Sequence, residues 1–361
     1  MGDGTWVGLD VHARSVVAGL IDEETGECRV VGAPHDTREL TAWVQQLPGP
    51  VRVAYEAGPT GFGLARALEQ AGVGCLVAAP SLIRRAPAAR TRKRDATDAE
   101  LLARTLRAGE LVAVRVPEPD TEAARDLVRA REDVRADLMR ARHRLSKLLL
   151  RHGLVYDGGR AWTGAHHTWL GHIRLGEPAA RAAFEDYLGA VLAAGLHRDR
   201  LDAQITQMAV SPPYARLVGR LECLRGVGTL TAFALCVEIG DWHRLSGGTI
   251  GAYLGLVPSE SQSGVRHSRG PITKAGNRHA RRLLVEAAWH HRRPLRTSLP
   301  LERRRAGQRP EVRARAELAS RRLHARWDHL ERRRGLRSTL VATAVARELA
   351  GWCWSLAVMD D

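Results

Sequence analysis

Four carboxylates in this chain have the types and spacing of a cation site. Asp10 lies inside an apolar run, Val7-Gly8-Leu9-Asp10-Val11. A charge there is costly unless it is paired or binds a cation. Glu56 closes a second such run, Val53-Ala54-Tyr55-Glu56, just before Ala57-Gly58-Pro59. Asp95 and Asp98 stand three apart in Lys93-Arg94-Asp95-Ala96-Thr97-Asp98-Ala99. That spacing puts both on one helix face. The alternative is Asp95 as an N-cap with Asp98 as a favourable first-turn charge. Brought to one point, the four make a hard oxygen site suited to Mg²⁺ or Mn²⁺. Two such ions activate an attacking oxygen and stabilise a leaving oxygen at phosphorus. The run Arg84 to Arg94, which includes Arg92 and Lys93, holds six basic residues and no acid just ahead of the last pair.

A second constellation lies in the C-terminal half. Ser259-Glu260-Ser261-Gln262-Ser263-Gly264 is followed by Arg266, Arg269, Lys274, Arg278, Arg281 and Arg282, with no acid before Glu286. A serine-rich loop beside cations suits a phosphate-attacking hydroxyl, because cations hold the phosphate and the charge that develops on it. The alternative is a polar turn before a basic helix. No histidine is placed as a general base, so a metal would have to activate the serine. Upstream, Gly226-Val227-Gly228 between two helical stretches reads as a helix-hairpin-helix. Its glycines let a phosphate approach backbone N–H groups. The alternative is a tight turn used only for packing.

The elements that must position these residues are legible by period. Thr5–Val11, Ser15–Ile21 and Cys28–Val31 read as a β-meander. Val51–Tyr55 and Val73–Ala78 read as further strands. Helical spacing predicts Thr37–Leu47, Phe62–Ala71 and a helix from Asp95 to Arg107. In a ribonuclease-H-like sheet the first and fourth strands are neighbours, so Asp10 and Glu56 would converge. From Pro119 to Leu150, Leu127, Val134, Leu138, Leu145 and Leu149 form one stripe of a long charged helix, and Pro178–Met208 could pack back on it as a coiled coil. Three domains result: 1–115 (α/β), 116–212 (helical) and 213–361 (mostly short helices with glycine turns), with Ser211-Pro212-Pro213 at the second boundary.

The chain carries 55 basic and 40 acidic residues over 361, a net +15. Only three of the basic residues are lysine. Codon bias explains arginine over lysine but not the excess, which fits a polyanion partner, most economically nucleic acid. Residues 292–337 concentrate 16 arginines against 5 acids. A solvated face, a partly disordered insert and a nucleic-acid grip all fit. The five cysteines form no CxxC pair, which excludes a zinc ribbon and a thioredoxin-like site and suits a reducing cytoplasm. No signal sequence or run of 18 apolar residues appears, so no membrane partner is expected.

The chain resembles the DEDD transposases of bacterial insertion sequences, the IS-one-ten family, related to Piv-type DNA invertases. The matching motifs are GLDVH around Asp10, YEAGPTG around Glu56 and KRDATDAELLAR around Asp95 and Asp98. LRGVGTLTA, YLGLVPSE and QSGVRHSRGPITKAGNRHARRLLVEAAW follow in order. The resemblance implies a RuvC-like (ribonuclease-H-like) α/β N-terminal domain, a coiled-coil linker and a small, mostly helical transposase domain. It implies Mg²⁺ (or Mn²⁺) at Asp10, Glu56, Asp95 and Asp98, and a nucleophilic serine that links covalently to DNA. Family members resemble one another in using a structured bridge RNA that pairs with donor and target DNA. They act as homo-oligomers, dimer to tetramer, with carboxylates and serine from different subunits. The family's Ser-Ser-Gly is Gln262-Ser263-Gly264 here. Ser263 keeps the place before glycine, ahead of Ser261 and Ser259. Nucleic-acid contacts are expected at Arg92, Lys93, Arg94, Gly226, Gly228, Arg266, Arg269, Lys274, Arg278 and Arg281. The competing readings are a RuvC-type junction nuclease using water, a non-catalytic scaffold and an actin-like kinase. The last shares the first-strand aspartate but lacks a second phosphate loop here.

Overall fold

The computed structural model describes residues 4–83, 94–263 and 266–360. The chain divides into two compact units, one ending at Glu118 and one beginning at Pro119.

The first unit is an α/β layer structure. Its strands are β1 (Thr5–Val11), β2 (Val16–Asp22), β3 (Cys28–Ala33), β4 (Val51–Glu56) and β5 (Gly74–Ala78). They form a mixed sheet in the order β3-β2-β1-β4-β5. β1–β2 and β2–β3 are antiparallel hairpin pairs, whereas β1–β4 and β4–β5 are parallel. This topology is compatible with a RuvC-like domain. The parallel pairs require crossovers, supplied by α1 (Thr37–Gln45) and α2 (Gly63–Gln70). Asp36 caps α1 by accepting from the backbone N–H groups of Arg38 and Glu39. The alternating residues Val7, Leu9, Val53, Tyr55 and Val77 meet Leu40, Val44, Leu64 and Leu68 in one buried core. Truncating a leucine there costs about 2–5 kcal/mol.

The opposite face of the sheet takes α3 (Asp95–Arg107). Here the contact is main chain on main chain. Gly8 and Gly19 face each other across β1 and β2. A Cβ on Gly8 would stand 2.3 Å from Ala99 O and 2.3 Å from Ala103 N, and one on Gly19 would stand 2.7 Å from Ala99 O. Only glycine allows this approach, and alanines on the helix complete it.

The second unit is helical with one hairpin inserted. Its helices are α4 (Pro119–Arg151), α5 (Gly164–His172), α6 (Pro178–Ala209), α7 (Ala215–Glu222), α8 (Thr229–Ile239), α9 (Ile250–Tyr253), α10 (Arg278–Ala288), α11 (Leu299–Ala306), α12 (Pro310–Asp328) and α13 (Ser338–Ala357). α4 and α6 pack antiparallel, with an Arg131–Asp202 ion pair at 2.6 Å between them. Their far end has its own core, in which Leu138, Leu145 and Leu149 meet Phe184 and Val191. Their near end joins a different core through Ala124, Val128, Ile205 and Ala209. The stripe expected on α4 therefore shifts at its start. Leu127 and Val134 are half-buried while Ala124 and Val128 are buried, because the helix there packs on α8 as well as α6. Of the expected linker 116–212, the residues from Pro119 onward lie in one compact unit with the C-terminal helices.

α8 is the centre of that unit, buried from Ala232 through Ile239. α13 lays Val341, Val345, Leu349, Cys353 and Leu356 along the same core. Two sequence expectations are corrected here. The arginine-rich stretch is no disordered insert, because Leu301, Val312, Ala316, Leu323 and Trp327 anchor its helices in the core. The serine-rich segment is not an irregular loop but an antiparallel hairpin, β6 (Pro258–Ser263) with β7 (Arg266–Ile272).

Candidate metal centre and serine hairpin

Asp10 and Glu56 stand at corresponding places on neighbouring strands. β1 and β4 are parallel, and their register runs Gly8↔Ala54 and Leu9↔Tyr55. The next step along each strand is Asp10 and Glu56. By the period of two they share the sheet face of Gly8 and Ala54, the face that α3 covers. Because Ala99 sits on Gly8, the first turn of α3 lies over the end of β1. Asp95 is the first residue of that turn and Asp98 follows in it. The N-cap is Arg94, exposed and without a side-chain cap bond, so the reading of Asp95 as an N-cap does not hold. Both carboxylates gain from the positive end of the helix dipole. Asp98 is buried and Asp95 is half-exposed.

His12, just past the end of β1, completes the group. Its Nε2 lies 3.4 Å from Asp10 Oδ2 and 3.7 Å from Asp95 Oδ1. One ligand atom from each of Asp10, His12 and Asp95 falls within 4.8 Å of the others. Two carboxylate oxygens and an imidazole nitrogen form a donor set that fits a divalent cation. Among the described residues this is the one such group, and Glu56 and Asp98 are not members of it. Of the four expected carboxylates, Asp10 and Asp95 are therefore brought together at ligand distance. Glu56 is aligned with Asp10 by register, and Asp98 is in the next positions of the same helical turn. His12 was not expected. A histidine two residues after the strand aspartate was the available signal.

The C-terminal constellation is a strand hairpin. Ser263 ends β6, opposite Arg266, and Gly264 and Val265 lie outside the described residues. The side chains of 261–263, 266 and 267 also lie outside them. Ser259 is engaged at the base of the hairpin, where its Oγ donates to Pro271 O at 3.0 Å. Arg269 pairs with Glu260 at 3.3 Å. Arg281 donates to Leu254 O and Ala275 O, each at 2.9 Å, so it braces the loop beneath the hairpin. Arg282 bridges Glu132 and Glu286. Lys274 and Arg278 are exposed. Arg92 and Lys93 lie outside the described residues. Gly226 has φ +86°, and a Cβ there would meet Ala287 O at 2.4 Å, so close packing against α10 accounts for it. Gly228 opens α8 with its surface toward Arg304.

Sequence reasoning passed over a buried acid. Glu238, next to last in apolar α8, has a fully buried side chain. Arg129 donates to both its oxygens at 3.1 Å, Asn277 donates at 2.6 Å, and His279 Nδ1 lies 3.2 Å away. Burial alone would raise its pKa. The hydrogen bonds from His279, Arg129 and Asn277 outweigh that and hold it at about 2. Asn277 also caps α10, accepting from Ala280 N. Glu238 thus ties α4 to the helix that follows the serine hairpin.

Residues 7–153 match the family described as Transposase, the DEDD type, and residues 218–298 match the family described as Transposase IS116/IS110/IS902. The chain is 39% identical over 362 residues to the putative transposase y4qE of Sinorhizobium fredii, covering 98% of this chain and 88% of that one. It belongs to the IS110 transposase family. A second relative of the transposase, that of insertion sequence element IS1533 from Leptospira borgpetersenii, is 32% identical over 250 residues, covering 67% and 72% of the two chains. The first match spans the strand aspartate and the α3 carboxylates, and the second spans the serine hairpin. No described helix of the transposase is long and apolar enough to cross a membrane.

Proposed function

We propose that this transposase moves its own element by RNA-guided recombination through a covalent phosphoserine–DNA intermediate. The observation that supports this most is the gathering of Asp10, His12 and Asp95 at one sheet edge, with Glu56 in register beside Asp10. Asp10, Glu56, Asp95 and Asp98 would hold Mg²⁺ (or Mn²⁺), with His12 as an added ligand or as a partner orienting Asp10. A divalent ion bound there would supply charge neutralisation at phosphorus and lower the pKa of an attacking hydroxyl.

Ser263 is the nucleophile in this reading. Its backbone ends the first strand of a two-stranded hairpin, and Ser259 is a poorer candidate because its Oγ is committed to Pro271 O. The Ser263 oxygen forms a bond to phosphorus, the phosphodiester bond to one deoxyribose oxygen breaks, and that oxygen takes up a proton. The reverse attack by another strand's hydroxyl restores the serine and joins the new DNA, so no external energy source is consumed. A bridge RNA pairing with donor and target DNA supplies sequence choice, while arginines contact backbone with strong salt dependence. Homodimers or tetramers would allow the carboxylates of one subunit to act with the serine of another.

The test is a denaturing gel with labelled donor and target DNA, RNA from the element's flanking region and Mg²⁺. A DNA band shifted by the protein's mass, absent in Ser263→Ala and in Asp10→Ala, is expected. Free cleaved ends without an adduct, still produced by Ser263→Ala, would leave a water-using junction nuclease instead.

A further inference from the structure

The arginine-rich helix α12 packs antiparallel against α13, with side-chain contacts at two points. Arg315 Nη1 donates to Ser355 Oγ at one end, and Arg326 Nε meets Glu348 Oε1 at 2.9 Å at the other. Arg322 lies between them on the same helix stripe, seven residues after Arg315 and four before Arg326. Gly351 of α13, which lines the same groove as Arg322, has no side chain to offer. Arg322 makes no hydrogen bond or ion pair to another described residue.

This groove has a volume of about 370 Å³. Arg322 and Arg347 are its cations, Gly247, Gly248 and Gly351 leave its walls bare, and Trp352 lines it. Arg347 lies flat over Gly251, where a Cβ would stand 3.0 Å from its Cγ, and it too lacks a partner among the described residues. The one acid in the lining, Glu348, is already neutralised by Arg326. Trp354 is fixed in the wall by donating from Nε1 to Leu245 O at 2.9 Å. Trp352 is half-buried against the core, so its ring is held while part of it stays accessible.

Two uncompensated guanidinium groups ask for an anion, and a held indole in a bare-walled groove asks for a flat ring. A nucleotide offers both, a phosphate for the arginines and a base for the tryptophan. The volume suits one nucleotide and excludes a duplex. We infer that the α12–α13 groove holds a single unpaired nucleotide of a nucleic-acid strand, with its phosphate on Arg322 and Arg347 and its base on Trp352. This gives a role to part of the 292–337 arginine excess, and it depends on neither Ser263 nor the carboxylates.

The experiment is fluorescence anisotropy of the full-length protein with labelled single-stranded ribo- and deoxyribo-oligonucleotides across a salt series. The Arg322→Ala/Arg347→Ala double variant should bind at least about tenfold more weakly and lower the salt slope by about 0.7, the share of one phosphate. Arg321→Ala, which removes a neighbour already paired with Glu317, should change binding less than about twofold. Trp352→Ala should weaken binding by about 5- to 150-fold with the salt slope intact, and Trp352→Phe should restore most of it. On an oligonucleotide of abasic sites the Trp352→Ala effect should vanish. The ratio between the two sugars then assigns the strand as RNA or DNA. The inference is overturned if the double variant binds like Arg321→Ala, or if Trp352→Ala costs the same on abasic as on normal strands. It is also overturned if a polyglutamate peptide of equal charge displaces the strand from the wild type but not from the double variant.

Discussion

Two acidic clusters in this molecule have opposite constructions. Around Glu238 the protein supplies its own cations: Arg129 at 3.1 Å, Arg125 at 3.7 Å, and the donors of Asn277 and His279. The side chain is sealed, and its charge is fully answered from within. Around Asp10 the cluster is partly open. Asp95 and His12 are about half-exposed, and the imidazole of His12 lies 3.4 Å from Asp10 and 3.7 Å from Asp95. A closed cluster of this kind holds helices together. An open one, with two carboxylates facing one imidazole, has room for a charge from outside. Being an acid in an apolar segment is common to both, so the answering groups, not the acid, separate structure from chemistry.

The largest expected effect tests the open cluster. Asp10→Asn should reduce DNA adduct formation by at least about 10³-fold, because a metal-dependent step is worth several kcal/mol. Its thermal midpoint without metal should not fall, since one of two neighbouring acids is removed. Added Mg²⁺ should raise the midpoint of the wild type and not that of Asp10→Asn, as ligand linkage requires. An equal shift in both would place the ion elsewhere.

The closed cluster should respond the other way. Glu238→Ala strands Arg129 and Arg125 and should cost about 3–5 kcal/mol in urea unfolding. Little loss would mean that the arginines find other partners. Acid titration sharpens the contrast. The folded pKa of Glu238, at about 2, is below the ordinary 4.5. Its contribution is therefore complete above about pH 4.5 and disappears as pH falls toward 2. Thermal midpoints between pH 5 and pH 2 should fall more steeply in the wild type than in Glu238→Gln. His291 acts at higher pH. It is buried, and burial followed by the nearby Arg225 lowers its pKa to about 3. The unfolded chain binds its proton from about pH 6.5 downward, so stability falls as pH drops from there toward 3. His291→Leu should flatten that part of the curve, provided that the cavity is filled.

A smaller effect tests how the open cluster is positioned. Gly8→Ala puts a methyl group 2.3 Å from two backbone atoms of α3 and should destabilise by about 1–3 kcal/mol. Since it shifts the turn that carries Asp95, the midpoint gain from Mg²⁺ should shrink as well. An undiminished gain would separate the sheet–helix spacing from cation binding.

Much of this was legible. Thr5–Val11 and Asp95–Arg107 were read with the bounds the structure has, because the first is an apolar run of strand length and the second opens on two acids and keeps a helical period. The serine hairpin was not read as strands. Ser, Glu and Gln carry turn chemistry in sequence, and β6 has no apolar alternation to reveal a pairing that cross-strand hydrogen bonds make. Glu238 was missed although the argument that singled out Asp10 applies to it unchanged: a lone acid in an apolar run, here TLTAFALCVEI, must be answered by something. Its answering groups come from 109 residues upstream and 39 downstream, a distance that no local period reports.

The seat of α3 on Gly8 and Gly19 carries one more consequence. A gap set by side chains widens and narrows as those side chains are exchanged over evolution. This one is set by peptide groups, which do not mutate. Leucines and valines on the far face of the sheet are free to drift in size while the end of β1 and the first turn of α3 keep their separation. The transposase thus has a built-in spacer for its acids, insulated from the turnover of its own core.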